Sequence, residues 1–185
     1  MDKLFNLYLQ ELIEWNKKFN LTAVTDPAEI RVRHFEDSLS VLEAIDLSDQ
    51  RVVDIGPGAG FPGLPLKIVR PGIKLTLVEA TRKKIEFLRH LVEVLNLADV
   101  EIIWGRAEEV QKDKRYAGQF DVALARAVAK LPILVKYALP FLKPGGLFVA
   151  QKQAEVRSEL GGLPAEVKTV KVGGALRSLV VIRKT

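Results

Sequence analysis

A glycine-rich turn at residues 52–63, VVDIGPGAGFPG, has the residue types and spacing that most clearly indicate ligand-binding chemistry in this sequence. Gly56, Gly58 and Gly60 alternate directly after a short apolar run that contains Asp54. Because glycine has no Cβ atom, a backbone of this composition can turn sharply and lie directly against a ligand. A turn of this kind between a strand and a helix is typical of proteins that bind a nucleotide-containing cofactor.

Two cofactors fit the turn. Residues 58–63 satisfy the G-x-G-x-x-G pattern of dinucleotide-binding proteins, in which helix amides hold a pyrophosphate. S-adenosylmethionine instead has no phosphate and carries a sulfonium and an ammonium group, which the carboxylate of Asp54 would suit. Pro62 has no N–H group and would remove a donor from a pyrophosphate cradle. These points favour S-adenosylmethionine, and a nicotinamide-dependent oxidoreductase stays as an alternative.

Further candidate contacts follow the second and third predicted strands. Glu79 ends the second strand, where an acidic side chain can accept hydrogen bonds from both ribose hydroxyls of either cofactor. Ala80 and Thr81 follow on the same rim. The third strand ends in the segment Trp104–Glu108, where we expect the adenine to lie between backbone groups and the side chain of Glu108.

The methyl acceptor can be narrowed by the residues that are missing. The chain has no cysteine, which methylation of pyrimidine C5 generally needs as a nucleophile. The sequence after the fourth strand reads LARAVAK, without the Asn/Asp-Pro-Pro-aromatic motif typical of exocyclic amine methylation. No cluster of metal ligands is present for a catechol-type acceptor. Guanine N7 carries a free lone pair and no proton, so its methylation needs positioning more than a general base.

Basic side chains are predicted to position the acceptor at the ends of the strands. Arg126, Lys152 and Arg106 could contact phosphates or base edges of RNA, although Lys152 and Arg106 also fit solvated rim charges. Arg126 lies within the apolar run ALARAVA, so its burial would require a partner. His34 is a third positioning candidate beside Arg126 and Lys152, although such a histidine is more often packed or exposed on a helix than catalytic.

These residues are expected to lie on strands that alternate with helices. Such alternation predicts a mostly parallel sheet that binds ligands at the carboxyl ends of its strands. The last two strands are separated only by Gly173-Gly174, so they must be antiparallel. Two helices precede the sheet, at residues 4–19 and from Pro27 to about Ala44. The predicted strands are RVVDIG, KLTLVEA, VEIIWG, FDVALARA, GGLFVAQK, EVKTVKV and SLVVIRK.

The prediction is an α/β fold of the class I (Rossmann-like) methyltransferase type, with a seven-stranded, mostly parallel sheet, a C-terminal antiparallel hairpin and N-terminal helices. Residues 1–50 are expected to form a helical segment packed on the core. Residues 51–185 are expected to form the S-adenosylmethionine-binding domain.

Charge and composition point to a polyanionic partner. Residues 1–50 hold 5 Lys and Arg against 10 Asp and Glu, whereas residues 51–185 hold 23 against 13. A basic domain of this kind favours nucleic acid as the partner. No apolar run is long enough for a membrane span, and the absence of cysteine excludes disulfides and thiolate metal sites. We expect a cytoplasmic, metal-free protein, most simply a monomer.

Beyond these patterns, the sequence resembles the RsmG (GidB) family from about Trp15 to Lys152. The resemblance is carried by the segments WNKKFNLTAVTDPAEIRVRHFEDSL, DIGPGAGFPGLPL, LVEATRKKIEFL, GRAEEV, FDVALARAVAKLPIL and LKPGGLFVAQK. The chain differs from the usual family pattern at Pro57, where Ser or Thr is common, and at Gln153, where Gly is usual.

The resemblance implies methylation of guanine N7 in a loop of small-subunit (16S) ribosomal RNA, with the RNA or the ribosomal subunit as partner. It adds Phe61 to the predicted pocket, which the residue pattern alone assigns to the core. Two alternatives remain: a methyltransferase of the same fold acting on another substrate, and a cofactor-binding RNA assembly factor. The cofactor contacts that the resemblance implies are Gly56, Phe61, Glu79, Ala80, Thr81, Ala107, Glu108 and Arg126.

Overall fold

A computed structural model, which describes residues 2–126, 129–153 and 156–185, contains a seven-stranded sheet with helices on both faces. The strand order is β3-β2-β1-β4-β5-β7-β6. The strands are β1 (Arg51–Ile55), β2 (Lys74–Glu79), β3 (Val100–Trp104), β4 (Phe120–Arg126), β5 (Leu142–Gln153), β6 (Ala165–Val172) and β7 (Ala175–Arg183).

The helices fill the connections between these strands. They are α1 (Asp2–Phe19), α2 (Pro27–Ile30), a π-helical stretch (Arg31–Glu36), α3 (Asp37–Leu39), a 3-10 turn (Ser40–Glu43), α4 (Gly63–Val69), α5 (Arg82–Val94), α6 (Ala107–Val110), α7 (Leu131–Ala138), a second 3-10 turn (Leu139–Phe141) and α8 (Arg157–Leu160). Within the described residues, no helix is both long and apolar enough to cross a membrane.

Strands β1 to β5 are parallel, and the order of the strands reverses between β1 and β4. In open α/β sheets, ligands bind at such a reversal, beside the carboxyl ends of the strands. The predicted C-terminal hairpin is confirmed: β7 is antiparallel to both β5 and β6. Gly173 and Gly174 both have positive φ, which is the conformation of the tightest hairpin turns.

The second N-terminal helix follows its predicted bounds but changes helix type along its length. Its start is as expected, because the Asp26 side chain accepts a hydrogen bond from the Glu29 amide at 2.9 Å and Pro27 occupies the first turn. Helical turns continue to Glu43, close to the predicted end at about Ala44, but they widen to π-helical geometry at Arg31–Glu36 and tighten to 3-10 geometry at Ser40–Glu43. π-Helical turns are frequent at functional sites, and this one contains His34.

The beginning of β5 also differs from the prediction. The segment KPGG was expected to form a turn before the strand, but β5 already begins at Leu142. Phe120 pairs with Leu142 whereas Val122 pairs with Leu147, so the intervening residues bulge outward. The bulge stays hydrogen-bonded, because the Gly145 amide donates to the Lys184 carbonyl at 2.8 Å. At the end of β4, the predicted strand extends to Ala127, which lies outside the described residues.

The N-terminal helices share a hydrophobic core with one face of the sheet. Tyr8 and Leu12 of α1 are fully buried in the same cluster as Leu64 of α4 and Leu124 of β4. A second cluster, centred on Phe141 and its neighbours, fills the opposite face. The first cluster therefore packs the N-terminal segment against that face of the sheet.

Candidate functional site

A cavity of about 620 Å³, called the main cavity below, opens at the carboxyl ends of β1, β2, β3 and β4. Its position at the reversal of strand order is the one that the fold predicts for a ligand. Its volume lies within the usual range for small-molecule sites. Eight of the predicted cofactor contacts line it: Gly56, Gly58, Phe61, Glu79, Ala80, Ala107, Glu108 and Arg126.

The glycine turn forms one wall of the main cavity. Its backbone amides donate hydrogen bonds to other groups of the protein rather than pointing freely into the cavity. The Gly58 amide donates to the Glu79 carboxylate at 3.1 Å, and the Gly63 amide donates to the Asp54 carboxyl at 2.7 Å. A pyrophosphate would need free amides at the turn and at the start of α4. The amides in this turn that donate internally are those of Gly56, Gly58, Gly60, Phe61, Gly63 and Leu64.

Asp54 does not lie where the sequence predicted it. Its side chain is fully buried beneath the turn and does not line the main cavity. Desolvation by burial raises the pKa of Asp54 to about 8, even though the hydrogen bond from the Gly63 amide acts in the opposite direction. The carboxyl is therefore mostly protonated at neutral pH. The expectation that an ionised Asp54 faces the positive charges of the cofactor is wrong, because its side chain turns toward the start of α4.

Glu79 lies at the predicted strand end and lines the main cavity. One carboxylate oxygen accepts from the Gly58 amide and the other from the Thr81 amide at 2.8 Å. Each oxygen retains a lone pair for a further donor such as a ribose hydroxyl. Thr81 was predicted to contact the cofactor, but it does not line the main cavity. Its backbone amide instead orients the Glu79 carboxylate, which does line the cavity.

Aromatic rings stack behind the glycine turn. The Phe61 ring lies 5.4 Å from the Tyr8 ring and 4.6 Å from the His34 ring, both in stacked geometry. The Arg126 guanidinium lies 4.9 Å from the centre of the Phe61 ring, which is cation–π geometry. The Tyr8 hydroxyl donates to the Ala59 carbonyl at 2.6 Å. The N-terminal segment thus supports the turn through side chains as well as through the core.

Arg126 has the partner that its burial requires. Its guanidinium donates to the Asp37 carboxylate at 3.1 Å, and the other oxygen of Asp37 accepts from Arg177 at 2.9 Å. The side chain of Asp37 is only 7% exposed. One carboxylate of the N-terminal segment therefore holds an arginine from the end of β4 and an arginine from β7.

His34 lies between Arg126 and a threonine hydroxyl. Its Nε2 is 2.8 Å from the Thr22 hydroxyl, and its Nδ1 is 3.3 Å from the Arg126 guanidinium. Burial and the neighbouring positive charge of Arg126 lower the pKa of His34 to about 4. The imidazole is therefore neutral at pH 7 and places a polar ring, without a charge, at the boundary of the main cavity.

The segment after β3 forms the wall opposite the glycine turn. Arg106, Ala107 and Glu108 line the main cavity, and Glu108 makes a hydrogen bond with Tyr137 that raises the pKa of that phenol. Trp104 is 61% exposed, and its indole N–H donates to the Ala80 carbonyl at 3.0 Å. The predicted adenine segment is thus brought beside the predicted ribose contact.

A second cavity of about 560 Å³, called the adjoining cavity below, lies beside the main one at the ends of β4 and β5. The two cavities share His34, Arg126 and Ala129 as lining residues. Lys152 lines the adjoining cavity rather than the main one. Its ammonium group pairs with Glu159 at 3.0 Å and donates to the Ala129 carbonyl at 3.1 Å.

Several residues at the site escaped the sequence prediction. Lys84, which reads as a solvated lysine at the start of α5, lines the main cavity together with Tyr137 and Thr22. Tyr8 reads only as part of an apolar helix stripe. For Asp37, the available signal was that Arg126, 89 positions later in the chain, needed a partner. Within the described residues, no group of His, Asp and Glu side chains could hold a metal ion.

Known proteins match this chain along nearly its whole length. Residues 1–176 match the family described as GidB, rRNA small subunit methyltransferase G. The ribosomal RNA small subunit methyltransferase G of Dictyoglomus thermophilum is 46% identical over 194 residues, covering 99% of this chain and 81% of that protein. The protein of the same name from Thermoanaerobacter pseudethanolicus is 42% identical over 193 residues, covering 97% of this chain and 80% of that protein.

The fold matches solved structures of more distant proteins. A SAM-dependent methyltransferase from Aquifex aeolicus superposes with a TM-score of 0.65 at 17% identity, covering 85% of this chain and 94% of that one. At this level of identity the match concerns the fold alone. It confirms the predicted class I, Rossmann-like methyltransferase architecture.

Proposed function

The chain belongs to the rRNA small subunit methyltransferase G family, and we propose that it transfers a methyl group from S-adenosylmethionine to N7 of a guanine in 16S ribosomal RNA. The observation that carries the choice of cofactor is the hydrogen bonding of the glycine turn. The amides of Gly56, Gly58, Gly60, Phe61, Gly63 and Leu64 bond inside the protein, which disfavours a pyrophosphate cradle, whereas a ligand without phosphates needs none.

The main cavity fits S-adenosylmethionine in size and in its polar groups. Glu79 is positioned to accept hydrogen bonds from the ribose hydroxyls, with its orientation fixed by the amides of Gly58 and Thr81. Ala107 and Glu108 lie where the adenine would be bracketed. When bound, the cofactor supplies a methyl group on a sulfonium, which is activated for direct displacement.

Guanine N7 as the acceptor needs no proton acceptor in the site. Guanine N7 carries a lone pair and no proton, so a methyl group supplied by the cofactor would be accepted there without removal of a proton. The chain has no cysteine for attack on a pyrimidine. The contribution of the protein is then to hold the two reactants in line.

Arg126 and His34 are the proposed positioning residues. Both line the main and the adjoining cavities, so they lie on the boundary between the two reactants. Arg126 can donate to the acceptor oxygens of the base or to a phosphate. The ion pair with Asp37 and the contact with Phe61 restrict its side chain, which lowers the entropy cost of positioning the substrate.

Calorimetry with S-adenosylmethionine and with NAD tests the cofactor. We expect a binding signal with the first and none with the second, and the reverse result would contradict the proposal. Substitution Arg126→Ala separates an enzyme from a cofactor-binding assembly factor. We expect loss of methyl transfer to small-subunit RNA with retained RNA binding, whereas unchanged methyl transfer would contradict a positioning role.

A different substrate for the same fold is less consistent with the charge of the chain. Residues 51–185 carry ten more basic than acidic side chains, which suits a polyanion. We propose that the protein acts as a monomer. Because the proposed substrate is ribosomal RNA, we propose that the protein acts in the cytoplasm.

A further inference from the structure

We propose that the adjoining cavity binds a single guanosine nucleotide of the RNA substrate, with Lys130 holding its phosphate and the Gln151 side-chain oxygen accepting a hydrogen bond from its base. This inference rests on the proposed function, because it assigns the acceptor site of the same reaction. It also adds two residues that neither the motifs nor the main cavity single out.

The position of the adjoining cavity is the first support. It shares His34, Arg126 and Ala129 with the main cavity, so a base within it lies next to the proposed methyl donor. Its volume of about 560 Å³ is in the range that accommodates a nucleotide-sized ligand. Arg126 and Gln151 are paired in register at the ends of β4 and β5, so one cavity edge presents both side chains.

The charge of the lining is the second support. Among the described lining residues, the two acidic ones are already engaged, because Asp37 holds Arg126 and Arg177 while Glu159 holds Lys152 and the Leu131 amide. Lys130 also lines the cavity and is exposed. Its ammonium group makes no hydrogen bond or ion pair among residues 2–126, 129–153 and 156–185, although its charge acts on Glu159 at longer range. An unpaired ammonium at the rim of a net positive cavity is suited to a phosphate.

Gln151 provides the third and independent support. Its side-chain amide donates to the Asp37 carbonyl at 2.6 Å, which fixes the orientation of the group. Its side-chain oxygen is buried, and within the described part of the chain it has no hydrogen-bond partner, although the residue is only 3% exposed and lines the cavity. A buried acceptor of this kind costs free energy unless a donor reaches it.

Guanine supplies the donor that this oxygen lacks. The base carries N–H groups at N1 and N2, on the side of the ring away from N7, whereas the corresponding ring nitrogen of adenine is an acceptor. When N7 of a guanine faces the main cavity, the N–H groups at N1 and N2 therefore face the opposite way, into the remainder of the adjoining cavity. The same oxygen would repel adenine in that orientation.

The test is to titrate the protein with guanosine 5′-monophosphate after the main cavity has been saturated with S-adenosylhomocysteine. Wild type, Lys130→Ala and Lys74→Ala are compared by calorimetry or NMR, each also with guanosine and adenosine 5′-monophosphate. Lys74 is a matched control, because it is exposed, has no ion pair among the described residues and begins β2 at the opposite edge of the sheet.

We expect the nucleotide to bind wild type about threefold more tightly than guanosine, a preference that Lys130→Ala removes and Lys74→Ala keeps. Affinity for the adenine nucleotide should be lower than for the guanine nucleotide in all three proteins. Equal affinity for the nucleotide and the nucleoside in wild type, equal affinity for the two bases, or no binding at all would overturn the assignment.

The result is independent of whether methyl transfer is observed. Methylation of guanine N7 without nucleotide binding in the presence of S-adenosylhomocysteine would leave the proposed function intact and refute the acceptor site. Selective, Lys130-dependent nucleotide binding in a protein that methylates no RNA would support the nucleotide site and refute the proposed function.

Discussion

At the scale of single residues, Asp54 shows why a motif alone does not assign a role. A carboxylate in a glycine turn reads as a partner for a positively charged cofactor, yet the side chain is fully buried and hydrogen-bonded to the Gly63 amide. Which way a side chain turns near the end of a strand depends on how the following helix packs, and Asp54 packs against the start of α4. Its role in the folded protein is therefore to connect β1 to α4.

The protonation of Asp54 gives a prediction for stability. Its pKa is raised from 3.8 to about 8 in the folded protein, so the folded state holds the proton more tightly than the unfolded chain. The stability that the protonated group contributes is present at low pH and is lost as the pH rises from about 4 to 8. Asp54→Asn keeps the shape of the side chain and its acceptor oxygen but does not ionise.

We therefore expect the stability of Asp54→Asn, relative to wild type, to increase with pH up to about 8. Urea unfolding at pH 5, 7 and 9 measures this difference, and Asp46→Asn at an exposed aspartate is the control. A difference between the Asp54 variant and wild type that does not change with pH would contradict a buried, protonated carboxyl.

At the scale of elements, the glycine turn was identifiable from the sequence, but the contacts from α1 that support it were not. Its glycines, the strand before it and the acidic residue at the end of the next strand all follow from local patterns. The hydrogen bond from Tyr8 to Ala59 joins residues 51 positions apart, and no local pattern encodes it. The π-helical turns of the second helix were likewise not predictable, because the residues there carry no local signal for them.

Removing the Tyr8 hydroxyl tests whether α1 supports the cofactor turn. Tyr8→Phe retains the stacking on Phe61 and deletes the hydrogen bond to Ala59, at a cost of about 1 to 3 kcal/mol in the free energy of unfolding. We expect affinity for S-adenosylmethionine, measured by calorimetry, to fall as well, because the turn becomes less ordered.

Tyr116→Phe is the matched control for this prediction. The Tyr116 ring is also buried, although less completely than that of Tyr8, and its hydroxyl donates to Glu101 at 2.7 Å, outside the lining of both cavities. This variant should lose stability without losing cofactor affinity. Equal cofactor affinity in wild type and Tyr8→Phe would show that the turn does not depend on α1.

At the scale of the whole molecule, the N-terminal helices complete the site. We propose a division at about residue 50, and across it Asp37 holds Arg126 and Arg177 while His34 reaches both cavities. The sheet order, the parallel strands and the C-terminal hairpin could be predicted because each follows from alternation of elements and loop length. The second cavity could not, because it is enclosed by side chains from four separate parts of the chain.

Asp37 should therefore be costly to neutralise. Asp37→Asn leaves two buried or half-buried arginines without their anion, and we expect a loss of about 3 to 5 kcal/mol in the free energy of unfolding. Glu29→Gln is the comparison, because it removes one partner of an exposed i,i+4 pair and should cost less than about 1 kcal/mol. Similar denaturant midpoints for the two variants would refute the bridging role of Asp37.

The proposed reaction is tested most directly by identifying the methylated nucleoside. The protein is incubated with methyl-labelled S-adenosylmethionine and small ribosomal subunits assembled from unmodified RNA, in parallel with subunits that carry 7-deazaguanosine in place of guanosine. We predict labelled 7-methylguanosine from the first and no label from the second, which lacks N7. Label in any other nucleoside, or in the 7-deazaguanosine subunits, would contradict methylation at guanine N7.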